Sequence, residues 1–518
     1  MTSFYGEHRQ INVLVDEGEN RVSRKNIDKW IFRLLLLLIG FMPLIVLAHV
    51  KEVISPHVTD IGILTSGVKG DIFTYYKFMF ILIITVITGI LLLIKIFFMN
   101  GTIKKSILNY FLGIFAIAIV ISTILSPNIS IALTGQYNRT DGAISWLCYI
   151  ALMFIAMNIN YPKNAVNKVL YALYPFVFIN LFIITMNFTG NDLMQKEWVQ
   201  KLVIVLLPEG ASLAEGSELV GTLNQWNYMS GMFAIITVMF LTAAIVEKNW
   251  IISITHTIVA TVSIAIMFMS ISTSGFVTVL VMLLPILVLI LKVENKAKAI
   301  VLLAIFIILS GFTLHTLAKV NPKVWTESVG FFTNKNPYVE QSVSKSSSSF
   351  LFDRVYASDK SFELPVLPES SIAPGSGRIY IWEKTIEIVK DRPVVGFGLD
   401  TLMYNFPHYN IDARSGLRTE HTIVDKPHNV YVGILYGTGF IGFISFMLIV
   451  CLSIWKSLKN ILKEKELYVA VLSFAAIAYF IQAMFNDSLP GISGVVWVFI
   501  GMMLALIFSE KDKEGINN

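Results

Sequence analysis

Residues 226–246 read WNYMSGMFAIITVMFLTAAIV, a stretch without one charged side chain. A helix needs about 20 mostly apolar residues to cross about 30 Å of hydrocarbon, and this run supplies them. Comparable runs lie at approximately 30–50, 76–99, 106–125, 142–158, 166–187, 250–271, 275–293, 298–318, 429–454, 467–487 and 491–509. Together they predict an all-α integral membrane protein with about twelve transmembrane helices. The segment KLVIVLLP, ending at Pro208, is too short to span and reads as an interfacial or re-entrant piece. A polar segment precedes the first span and no small-residue cleavage site follows it, so it is not expected to be a cleaved signal peptide.

Composition agrees with a chain that uses lipid as its solvent. Of 518 residues, 55% are hydrophobic and only 14% charged, and mean hydropathy is +0.69. Soluble globular chains carry about 25% charged residues, so a water-soluble enzyme is excluded. Disorder is excluded by the apolar content. Cys148 and Cys451 sit in separate apolar runs, which argues against a disulfide framework or a zinc site and for small buried residues.

Lysine and arginine orient the spans. On the side shared by both termini stand 20 of them, including Arg21, Arg24, Lys104, Lys105, Lys168, Lys248, Lys296 and Lys459. The short loops opposite hold five: Lys51, Lys69, Arg139, Lys196 and Lys201. Both termini are therefore expected in the cytosol. The chain divides into a cytosolic tail 1–29, transmembrane helices 1–9 over 30–318, an external loop 319–428, helices 10–12 over 429–509 and a cytosolic tail 510–518. The net charge of +5 is then a marker of topology, and no nucleic-acid partner is expected. Arg33, Lys77 and Lys95 lie near span ends, where long side chains reach the interface. His256 and His315 read as packed histidines. Without midplane charge, chemistry is expected on the external side.

The external loop holds 13 basic and 13 acidic residues. After a serine-rich linker and a Pro-rich stretch comes SGRIYIWEKTIEIVKDRP (376–393), which predicts a surface amphipathic helix over 378–391 between helices 9 and 10. Its apolar face would carry Ile379, Trp382, Ile386 and Val389. Arg378 opens it, either binding an anion at the helix N-terminus or pairing with a nearby carboxylate. GFG at 396–398 reads as a turn rather than a phosphate loop. Arg414, Arg418, His421 and Asp425 follow. His428 and Asn429 fall where the loop enters the tenth span; His428 is either a base for a hydroxyl proton or an interfacial cap. Two further external clusters are GQYNRTDG (135–142), with Arg139 and Asp141, and GTLNQWNYMSG (221–231), with Asn224 and Asn227. For these asparagines, capping and substrate contact both stand. No DxD, HExxH, GxSxG or Walker motif occurs, so no metal or cofactor is expected.

In this order the pieces resemble the bacterial O-antigen ligase/polymerase family of multi-pass membrane glycosyltransferases. The matching features are Gly135, Arg139 and Gly142; Asn224 and Asn227; SGRxxxW from Ser376 to Trp382; the DRPVVGFG turn; and PHNVYVxxLYxxGxxG from Pro427 to Gly442. The resemblance is strongest over about 270–450. It implies glycan transfer from undecaprenyl pyrophosphate to an acceptor hydroxyl on the outer face of the cytoplasmic membrane, without metal and with inversion. The acceptor would be a saccharide, lipid or protein, in surface polysaccharide biosynthesis. Residue by residue, Arg378 would bind the pyrophosphate, His428 would orient or deprotonate the acceptor, and Asn429 would position it. Arg139, Asn224, Asn227, Arg414 and Arg418 are further substrate-binding candidates. One departure is visible: in SISTSGFVT (270–278), Gly275 stands where members carry an arginine. The alternative function is a transporter or flippase of a lipid-linked saccharide.

Overall fold

A bilayer leaves backbone polar groups no partner but one another, so long apolar runs close their hydrogen bonds as helices. The computed structural model shows this for residues 2–53, 66–207, 219–333, 335–339, 377–408, 423–463 and 467–514, the residues described here. Helix α1 (Thr2–Phe41) stops short of the expected position 50, because Pro43 removes a backbone donor. Two short antiparallel strands follow, β1 (His49–Val53) and β2 (Gly67–Asp71), with His49 opposite Asp71. They are a departure from the all-α expectation. Next come α2 (Tyr75–Phe97), α3 (Ile107–Ile124), α4 (Ile129–Thr134), α5 (Ala143–Met157), α6 (Ala165–Phe188) and α7 (Glu197–Val203). The chain continues with α8 (Trp226–Val246), α9 (Trp250–Met269), α10 (Thr273–Ile290), α11 (Lys296–Val320), α12 (Lys323–Thr326) and α13 (Gly330–Thr333). Then α14 (Arg378–Val389), α15 (Leu402–Asn405), α16 (Val430–Leu462), α17 (Ala470–Gln482) and α18 (Pro490–Glu514) complete it.

Nine helices among the described residues are long and apolar enough to cross a membrane: α2, α3, α6, α8, α9, α10, α11, α16 and α18. The other three expected spans coincide with the end of α1, with α5, and with the apolar stretch 467–482 around α17, which is shorter. Helices α8 and α18 form the centre, 94% and 89% buried over their apolar windows, against 28% for α11 at the periphery. A helix apolar on all sides belongs inside. The outer helices instead expose apolar rows such as Ile83, Ile87, Ile90 and Phe97 of α2, a surface suited to lipid. Buried hydroxyls inside the spans, including Thr85, Thr88, Thr237 and Thr278, donate to carbonyls four residues back, which makes their burial inexpensive.

Lys77 and Lys95 do not reach for an interface. Lys77, 1% exposed, donates to the carbonyls of Ile45, Phe73 and Thr222 at 2.6–2.8 Å. Lys95 pairs with Asp28 at 2.6 Å and donates to the Asn158 carbonyl. Both are inward-facing locks between helices. His256 is buried with its Nδ1 3.5 Å from the Tyr174 hydroxyl, and His315 Nδ1 lies 2.7 Å from that of Tyr338. Cys148 is buried, but Cys451 is exposed on the outside of α16, contrary to the expectation for it.

The DRPVVGFG turn has a specific place. Helix α16 is broken at Gly439 (φ 64°, ψ −170°), which removes normal partners from the carbonyls and amides around it. The turn supplies replacements: Phe397 N–H donates to the Tyr436 carbonyl (3.0 Å) and Gly398 N–H to that of Gly437 (2.9 Å), while Phe440 N–H donates to the Pro393 carbonyl (2.8 Å). The approach demands glycine, since a Cβ on Gly396 would lie 2.6 Å from the Gly437 carbonyl. Helix α14 packs on α16 through Ile381, Thr385 and Val389, together with Phe397, Leu402, Phe406 and Tyr436. This corrects the expected face, because Ile379 and Ile386 are each 46% exposed. With apolar residues on most sides of the helix, the hydrophobic cluster around Tyr436 selects which of them turn inward.

Candidate active site

Five connecting segments meet at one end of the bundle: the α4–α5 loop, the approach to α8, the α14–α15 connection, the chain leading into α16, and the α17–α18 connection. Arg139 ties three of them together. Its Nε and Nη2 donate to Asp400 Oδ1 at 2.9 and 2.6 Å, its Nη1 to Asp425 Oδ2 at 2.5 Å, and its Nη2 also to the Asp425 carbonyl. Burial lowers the arginine pKa, but the two carboxylates outweigh it and hold the guanidinium firmly charged. Asp400 also accepts from the Gln136 backbone at 2.6 Å. Asn224 Nδ2 donates to the Asn138 carbonyl (3.1 Å) and Asn486 Nδ2 to the Asn227 carbonyl (3.3 Å), so both candidate asparagine positions help join the segments.

His428 sits in left-handed backbone (φ 52°), as do Thr140 (48°) and Asp400 (59°) around the same cluster. Such conformations cost about 1–3 kcal/mol each and persist where surrounding contacts over-determine them. Here the contacts are explicit. Trp382 Nε1 of α14 donates to the Pro427 carbonyl (2.7 Å), and Val430 N–H donates to the Ala483 carbonyl (2.8 Å). The Asn429 side chain accepts from Val432 N–H at 3.1 Å and caps α16. The imidazole is thereby brought to Asp487, whose Oδ2 lies 3.2 Å from His428 Nδ1. Burial raises the Asp487 pKa, but His428, Lys426 and Arg139 outweigh it and bring it down to about 2. Burial likewise opposes, and Arg139, Lys426 and His428 reverse, the shift of Asp425, whose pKa falls below the ordinary value. Asp487 Oδ2 makes no hydrogen bond among the described residues, so the ionised carboxylate acts on the imidazole by its charge and leaves the ring's far nitrogen for a proton.

Arg378 begins α14 half-buried and donates to no group among the described residues. Burial lowers its pKa, partly offset by the charge of Asp487 and by Tyr228. A desolvated guanidinium without a partner is suited to an anion. Asp141 lies beside the same cluster, accepting from Trp146 Nε1 (3.3 Å) and Tyr149 Oη (3.4 Å). Burial, then the neighbouring Asp400, pushes its pKa well above the usual carboxylate range. A cavity of about 50 Å³ is bordered by Arg139, Asp141, Asp400, Lys426, Asn429 and Asp487. That is room for a few waters, so a saccharide fits only at its rim.

The geometry thus brings together Arg378, His428, Asn429 and Arg139 from the sequence candidates. Arg414 and Arg418 lie outside the described residues, as do the serine-rich and Pro-rich stretches. Gly275 has no room for a larger residue, because its Cβ would collide with Ser230 Oγ. Sequence reading missed Asp400, Lys426 and Asp487. The signal for Asp487 was available in NDSLP (486–490), an acid at the entrance of the last span. Among the described residues no group of three His, Cys, Asp or Glu is placed to hold a metal.

Fold and site define a multi-pass membrane protein with a polar centre at one end of its helix bundle. Residues 257–447 match the family model described as O-antigen ligase, a stretch that contains both Arg378 and His428. Over that stretch the chain is similar to the O-antigen ligase family, whose model matches it. A search of curated proteins finds no match.

Proposed function

We propose that the chain transfers a glycan from undecaprenyl pyrophosphate to an acceptor hydroxyl at the outer face of the bacterial cytoplasmic membrane, with twelve spans and both termini in the cytosol. The observation that carries this reading is Arg378, without a partner among the described residues, on the helix whose Trp382 holds the Pro427 carbonyl beside the His428–Asp487 pair. His428 takes the acceptor proton as the hydroxyl oxygen attacks the anomeric carbon. The bond from that carbon to the pyrophosphate oxygen breaks, and its electron pair leaves with the pyrophosphate. Arg378 binds the charge that develops there. Asp487 stabilises the imidazolium. One displacement inverts the anomeric centre, and leaving-group stabilisation by Arg378 serves in place of a metal. Asn429 orients the acceptor from the capped end of α16, and Arg139 holds Asp400 and Asp425 in place instead of touching the donor. The acceptor is a saccharide, lipid or protein hydroxyl.

The test is reconstitution of purified protein in vesicles with undecaprenyl-pyrophosphate glycan and candidate acceptors. His428→Ala and Arg378→Ala are each expected to lower transfer by about 10²–10⁴-fold. Intact transfer in either variant rejects the mechanism. Movement of the lipid-linked sugar across vesicles without transfer to any acceptor would favour a flippase.

A further inference from the structure

Lys426 stands two residues before His428 and is only 7% exposed. Its Nζ donates to the Tyr228 hydroxyl at 3.0 Å. The nearest carboxylate oxygen, Asp487 Oδ2, is 3.9 Å away, beyond hydrogen-bond reach. An ammonium has three donors, and among the described residues one of them is spent. Burying such a group is costly unless an anion completes its shell. The side chain borders the cavity beside Asn429 and Asp487. Arg378 opens α14, and one turn on, Trp382 Nε1 of the same helix donates to the carbonyl of Pro427, the residue next to Lys426, at 2.7 Å. Arg139, the other cation of the cluster, already serves two carboxylates and a carbonyl.

We propose that Lys426 is a second phosphate-binding cation, holding one phosphate of the diphosphate leaving group while Arg378 holds the other. This rests on the transferase reading given above. Before the donor arrives, Lys426 stands close to Asp487; with a phosphate bound, its free donors turn to phosphate oxygens, and Asp487 serves His428. When the sugar–oxygen bond breaks, the electron pair stays on the diphosphate, so a charge present at both phosphates favours the transition state over the ground state. A lysine suits this place because a compact ammonium can redirect its three donors, whereas a guanidinium fork is fixed in plane.

The experiment uses the full chain in nanodiscs, with inorganic pyrophosphate as the calorimetric probe and transfer kinetics as the second readout. Lys426→Gln is expected to weaken pyrophosphate binding at least tenfold and to raise donor KM while lowering kcat. Lys426→Arg, which keeps the charge, is expected to recover most of the binding. Tyr228→Phe, which leaves the ammonium in place, is expected to retain binding even if thermal stability falls. Wild-type protein that does not bind pyrophosphate overturns the inference, as does Lys426→Gln with unchanged affinity and donor KM. If Lys426→Gln fails to fold, a folded Lys426→Arg that does not bind pyrophosphate, or lost affinity in Tyr228→Phe, would overturn it equally. Should Arg378 and His428 prove necessary for transfer while Lys426 does not matter, this inference fails and the transferase reading survives. Should pyrophosphate binding depend on Lys426 without any transfer by the wild-type protein, the reverse holds.

Discussion

Asp487 lies 3.2 Å from His428 and 3.9 Å from Lys426, and its two effects are separable by pH. Its folded pKa of about 2 lies below the ordinary 3.8, so its ionised form stabilises the fold fully above 3.8. That contribution, about 2 kcal/mol, is lost as pH falls from 3.8 through about 2. Asp487→Asn should therefore be less stable than wild type at pH 7 and lack that acid step when Tm is followed against pH. The same variant should lower kcat on the order of 10²-fold or more, because the imidazolium loses its counter-charge, and Asp487→Glu should restore part of it. Asp141 has the opposite sign. An acid whose folded pKa is raised contributes most below 3.8, and stability falls as pH rises from there toward the folded value. Asp141→Asn, which keeps one oxygen for Trp146 Nε1 and can donate its amide to the Tyr149 hydroxyl, should raise Tm at neutral pH and flatten that decline; a lower Tm at pH 7 would contradict this account.

At the scale of elements, the break in α16 links the two halves of the site. Helix α14 carries Arg378, the turn after it fills the break, and the segment of α16 before the break begins at His428 and Asn429. Gly439 adopts backbone that side chains rarely occupy, and a Cβ there would collide with the Val394 carbonyl. Gly439→Ala should cost about 1–3 kcal/mol in strain alone, lower Tm, and depress transfer through misplacement of both Arg378 and His428. Gly113→Ala on α3, where a Cβ meets open space, is the control expected to keep wild-type Tm and transfer. This level of organisation was only partly legible in sequence. The spans were, since lipid requires long uncharged runs, and SGRxxxW and PHN marked the segments that meet. The contacts between those segments were not. Arg139 meets Asp400 and Asp425 across separations of 261 and 286 residues, and no local pattern encodes such pairs. GFG was readable as a turn, but its role required seeing the helix it fills. Helix α14 was readable too; its inward face was decided by partners far away in the chain.

The whole molecule sorts its charge between two ends, and that sorting is the basis for its orientation. At the site end, charges are enclosed: Arg139 pairs with Asp400 and Asp425, Lys426 donates to Tyr228, and Asp487 lies beside His428. At the other end, lysines lie near helix termini, with Lys248 paired to Glu294 in the open and Lys298 donating to the Glu247 carbonyl. The excess of basic residues at this second end is what supports the proposed cytosolic orientation. Lys201 of α7 and Lys248 both have exposed side chains, 78% and 82%, and they lie on opposite sides of α8. In a Cys451→Ser background, with Cys148 buried, single replacements Lys201→Cys and Lys248→Cys report the orientation directly. Lys201→Cys should react with a membrane-impermeant maleimide on intact spheroplasts. Lys248→Cys should react only after permeabilisation. Reaction of both from outside would mean that α8 does not span, and the reverse pattern would place the Arg378–His428 site in the cytosol, away from an outer-face acceptor. Because α8 is the buried centre of the bundle, its direction also sets those of α9, α10 and α17 packed around it. One pair of labels therefore tests both the orientation of the bundle and the side of the membrane on which the chemistry takes place.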